Sequence, residues 1–65
     1  MKAIKVTYSN YYFNSVSVFV LNTSDERKAV KKAKDNEGSR RFVLEKTEKT
    51  EVTEDFINNY PEKCL

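Results

Sequence analysis

Tyr11-Tyr12-Phe13-Asn14-Ser15-Val16-Ser17-Val18-Phe19-Val20-Leu21 is the densest apolar run in the chain, and the fold turns on what pairs with it and what covers it. β-branched and aromatic residues dominate the run, as they do in strands. With a period of two, its even positions carry Tyr12, Asn14, Val16, Val18 and Val20. Its odd positions carry Tyr11, Phe13, Ser15, Ser17, Phe19 and Leu21. Large apolar groups therefore fall on both faces, which is unusual for a sheet with one side in water.

Upstream, residues 2–8 alternate cleanly, with Ile4, Val6 and Tyr8 on one face and Ala3, Lys5 and Thr7 on the other. That pattern predicts a half-buried first strand. Ser9-Asn10 supplies the turn of a hairpin, because asparagine tolerates positive φ and both side chains bond locally to backbone. A rival turn at Asn14-Ser15 would leave the second strand much shorter.

Downstream, Thr23 and Glu26 have the spacing of a capping box, which predicts a helix over about 24–37. Gly38, the single glycine, stands where a left-handed residue ends a helix. Ala29, Val30 and Ala33 share a stripe, and two alanines let the helix lie close to a sheet. Arg27, Lys28, Lys31, Lys32 and Lys34 occupy the other side. Residues 39–45 read as a third strand, with Phe42 and Leu44 on one face and Arg41, Val43 and Glu45 on the other. Three successive X-Thr-Glu triplets fill 46–54, too few for a repeat architecture. They are expected to extend strand 3 or form an irregular arm, their alternating charges discouraging edge-to-edge pairing. Thr53 caps a short final helix in which Val52, Phe56, Ile57 and Tyr60 keep helical spacing. Pro61 ends it, and residues 62–65 are expected to fray.

The pieces make one α+β domain over 1–65, in the order β-β-α-β-α. Its small, mainly antiparallel three-stranded sheet has spatial order 2-1-3, one helix on one face and a short C-terminal helix. Ile4, Val6, Val16, Val18, Val20, Phe42 and Leu44 should receive the first helix through Ala29, Val30 and Ala33. Phe13, Phe19, Leu21 and Val43 are left on the second face. Leaving each in water would forgo about 1.5–3 kcal/mol, against a net stability of about 5 kcal/mol for a small domain.

Composition narrows the chemistry. A net charge of +2 does not specify a partner. One cysteine, Cys64, argues for a reducing cytoplasm over a disulfide-built secreted scaffold. No apolar segment follows Met1, so no signal or membrane span is expected. Phe, Tyr, Ile, Asn and Lys far outnumber Gly, Ala, Arg and Pro, as in A/T-rich genes. Phage or a mobile element, acting in a host cytoplasm, suits so small a product. The chain has no histidine, which removes the usual general base and zinc ligand. One glycine cannot build a phosphate-cradling loop. No enzymatic activity, cofactor or metal is expected.

Two surfaces remain as candidates. Tyr11, Tyr12, Phe13, Phe19, Leu21 and Val43 would bind a protein partner, a second copy included, unless the C-terminal helix folds over them. The cationic face of Arg27, Lys28, Lys31, Lys32 and Lys34 would contact nucleic-acid phosphates, although a plain solvated helix face explains it with less. The leading expectation is a small non-enzymatic regulator or inhibitor that binds another protein, and the alternative is a nucleic-acid-binding module.

Overall fold

The computed structural model describes residues 1–10, 12, 14–38 and 41–65. Three strands, β1 (Lys2–Ser9), β2 (Ser15–Leu21) and β3 (Val43–Glu51), form one antiparallel sheet in the order β2-β1-β3. Helix α1 (Glu26–Glu37) follows β2, and helix α2 (Glu54–Asn59) follows β3. This is the expected α+β fold with the expected strand order.

Period-two alternation on β1 decides the layers. Ile4 lies opposite Val20, Val6 opposite Val18 and Tyr8 opposite Val16, so all six side chains share one face. Ala29 and Ala33 of α1 close over them, both fully buried, and Val16, Val30, Phe42 and Leu65 pack at the margin. Phe42 stacks on Tyr8 with ring centroids 4.5 Å apart. A register shift between Thr7 and Tyr8 leaves Glu45 as an extra residue on β3, a bulge that re-aims the start of that strand.

The local boundaries differ from expectation where side chains compete for backbone amides. Asn10 Oδ1 accepts from the amides of Tyr12 and Asn14, at 3.0 and 3.1 Å. Its own amide donates to the Asn14 carbonyl at 3.1 Å. The hairpin loop therefore spans both proposed turns, and β2 begins only at Ser15. At α1, Asp25 rather than Thr23 is the N-cap, accepting from the amides of Arg27 and Lys28. Thr23 Oγ1 instead accepts from the Asp25 amide, one step upstream. Gly38 ends α1 with φ 62°, as expected, its amide donating to the Lys34 carbonyl. Thr53 caps α2 as expected, its hydroxyl accepting from the Phe56 amide at 3.1 Å.

The X-Thr-Glu tract extends strand 3, the first of its two expected forms, and is mostly exposed. Its first six residues, Lys46–Glu51, pair with Lys2–Thr7. Strand 3 accordingly starts at Val43, and the first part of the stretch assigned to it, Ser39 and Arg40, lies outside the described residues.

Residues 62–65, expected to fray, are held. Pro61–Lys63 forms one 3₁₀ turn, and the chain then runs parallel to β2. The Leu65 amide donates to the Phe19 carbonyl at 2.8 Å, and the Leu21 amide donates to the Leu65 carbonyl at 2.9 Å. The terminus thus satisfies part of the outer edge of β2, and the Leu65 side chain reaches the core margin.

A part-buried polar contact ties α1 to the sheet. The Tyr8 hydroxyl donates to Glu37 Oε2 at 2.6 Å. Burial, then the hydrogen bond to Glu37 and its negative charge, pushes the Tyr8 pKa from 10.0 up to about 12. A folded-state pKa above the unfolded value keeps the neutral form favoured in the native state. Its contribution is complete below pH 10 and is lost as pH rises through about 12. Urea unfolding should therefore show wild type losing more stability than Tyr8→Phe over that window, by a difference on the order of 2 kcal/mol. Parallel pH curves would show that the hydroxyl is not held in this environment.

Candidate protein-binding surface

The second face of the sheet is less apolar than its sequence suggests. Ala3, Lys5, Thr7 and Ser9 of β1 face the same way as Phe19 and Leu21. Thr7 and Ser17 hydroxyls are in contact at 3.1 Å, and the Ser15 hydroxyl donates to Glu45 Oε2 at 2.9 Å. The hairpin end of this face is therefore polar.

Its apolar end is covered by the chain itself. Phe56 of α2 packs edge-on against Phe19 with centroids 5.0 Å apart, and Tyr60 lies 5.1 Å beyond Phe56. Lys5 Nζ sits 6.0 Å from the Phe19 ring centre. Phe19 and Leu21 are both half-buried, and their backbones hold the C-terminal residues. Of the six residues singled out as an interaction patch, Tyr12 is 75% exposed and Val43 46% exposed. Tyr11 and Phe13 lie outside the described residues. The structure does not gather the remaining four into one open patch.

The five cations of α1 are all exposed and spread over the broad side of the helix opposite Ala29 and Ala33. At about 100° per residue, Arg27 and Lys34 lean to the flank that carries Val30, Lys28 and Lys32 lean to the opposite flank, and Lys31 stands between the two. The first flank overlooks β3. Because Ala29 and Ala33 seat the helix over β1 and β2, the corresponding face of β3 is left partly open. Leu44, assigned to the core by its alternation, is 44% exposed there.

The result is an open groove of about 520 Å³ between α1 and β3. Val30, Leu44 and Thr47 line its floor, Arg27, Lys31 and Lys34 its helical wall, and Glu26 one end. Among the described residues, those three cations make no ion pair. Sequence reasoning found the cations and Val30 but not Leu44 or Thr47 as their neighbours. The alanine pair was the available signal, since a helix centred on two strands must leave the third uncovered.

Among the described residues no group of three or more metal-ligating side chains is present. No helix among them is long and apolar enough to cross a membrane. Cys64 is free and half-buried at its bridge to Phe19. No family model matches the chain, and neither curated proteins nor solved structures give a significant match.

Proposed function

We propose that this protein is a small non-enzymatic regulator that acts by binding another protein, and that the α1–β3 groove is where the partner docks. The observation that carries this is the groove itself: exposed Leu44 beside Val30, under three cations that make no ion pair among the described residues. An apolar floor gains from desolvation, while a wall of one charge selects the sign of what enters. The matching partner is a segment in which acidic and apolar side chains are interspersed. Val43, which faces the other side of β3, and Tyr12 at the hairpin are exposed but lie outside this groove.

The same cations support the alternative of nucleic-acid binding, but that chemistry has no use for Leu44. A fluorescent peptide of interspersed glutamate and leucine, titrated beside single- and double-stranded oligonucleotides, separates the two. Leu44→Ser and Lys31→Glu should each weaken peptide binding by about tenfold, equivalent to about 1.4 kcal/mol. A partner captured from cells by wild type should be lost with Leu44→Ser. Binding to oligonucleotides that falls steeply with salt and ignores Leu44→Ser would transfer the function to the alternative.

A further inference from the structure

The two edges of the sheet are treated differently. Part of the β2 edge is occupied by the C-terminal residues, whereas β3 pairs with β1 on one side and, among the described residues, has no strand on the other. Nine residues long, β3 is an open template for another strand. Which backbone groups it offers follows from the anchor at its end. Met1 and Val52 exchange two bonds of 2.9 Å, so residue 52 points its amide and carbonyl at β1. Alternation then turns residues 50, 48 and 46 inward and 51, 49 and 47 outward.

Charged side chains on an edge usually keep strangers away. Here the order of charges is self-complementary. About Thr47, an antiparallel copy places Thr47 opposite Thr47, Lys46 opposite Glu48 and Glu48 opposite Lys46. Lys46 and Glu48 share the second face, opposite Thr7 and Lys5 of β1, so their partners meet on one side of the joined sheet. The Thr47 pair falls at an outward-pointing position and exchanges both backbone bonds. Moving the two-fold by one residue either way sets Lys46 against Lys46 or Glu48 against Glu48, so the pattern rejects neighbouring registers. Within one chain Lys46 Nζ and Glu48 Oε1 already lie 3.4 Å apart, and the dimer would place two such pairs together as an alternating square.

We propose that the occupant of the β3 edge is a second copy of this chain, paired antiparallel about Thr47 to give a continuous six-stranded sheet. The two-fold runs perpendicular to the sheet, so both α1 helices stand on the same face. Two α1–β3 grooves then merge into one cleft walled by helices on both sides. The dimer does not depend on the proposed partner, since a failed peptide titration leaves the oligomeric state unaltered.

Sedimentation or light scattering of the full chain at submillimolar concentration tests this, with circular dichroism confirming that each variant is folded. Wild type should show twice the chain mass. Lys46→Glu turns two attractive contacts into two repulsive ones and should raise the dissociation constant by about tenfold or more. Adding Glu48→Lys to it should restore the dimer. Thr47→Pro removes an outward amide without touching the β1 ladder and should leave a folded monomer. A monomeric wild type, or a dimer indifferent to both Lys46→Glu and Thr47→Pro, overturns the proposal.

Discussion

Ala33→Leu should lower the melting temperature by roughly 15 °C, corresponding to about 3 kcal/mol in a domain of this size. Ala33 is fully buried where α1 meets Ile4, Val6, Val18 and Val20. A methyl group there lets the helix backbone approach the sheet, and three added carbons have no vacant volume to enter. Either α1 lifts, which uncovers the β1–β2 face, or the sheet side chains leave their rotamers. Both outcomes draw on a reserve of about 5 kcal/mol. Val30→Leu is the internal control, because Val30 lies at the core margin on the groove floor and a larger side chain can extend over Leu44. Its melting temperature should stay near wild type. Equal behaviour of the two variants in thermal denaturation would mean that α1 is not seated through its alanine stripe.

The same alanine pair explains how far the fold was legible. Alternation on β1 and β2, the small-residue stripe on α1 and the lone glycine at its end all point to one arrangement, and consistency across levels is what makes a sequence readable. The failures lie where polar side chains had several amides to choose from. Asn10 takes two amides and widens the hairpin loop, and Asp25 outcompetes Thr23 at the helix start. Neither choice leaves a trace in hydrophobic periodicity. The X-Thr-Glu tract left two readings open, strand extension or irregular arm, since an edge strand with polar residues on both faces shows no apolar alternation at all. Its strand character comes from β1, whose backbone it satisfies. The groove depended on the lateral position of α1, a tertiary quantity that two alanines imply only once the strand order is known. The hold on residues 62–65 rests on main-chain bonds to Phe19 and Leu21, which no side-chain pattern announces.

Phe19→Asp should destabilise the protein by about 3 kcal/mol. The stretch around Phe19 is apolar on both faces, and the second face has two competing explanations: cover by the chain itself or contact with a partner. The contacts of Phe19 favour cover by the chain itself. Phe19 meets Phe56 edge-on at 5.0 Å, Phe56 meets Tyr60 at 5.1 Å, and the Phe19 carbonyl holds the Leu65 amide. An aspartate would abolish the aromatic contact and place a charge beneath Phe56. Lys5, opposite Phe19 in the β1–β2 register, can neutralise part of that charge, so Phe19→Ala should lose nearly as much. Phe56→Ala should also be destabilising, and combining it with Phe19→Ala should cost less than the sum, because each truncation already removes the shared contact. Protease cleavage within residues 54–60 should accelerate in all of these variants as α2 detaches. Urea titration of the four proteins measures each loss directly. If Phe19→Asp instead keeps wild-type stability and abolishes partner capture, the partner binds the second face, and α2 must move aside to admit it.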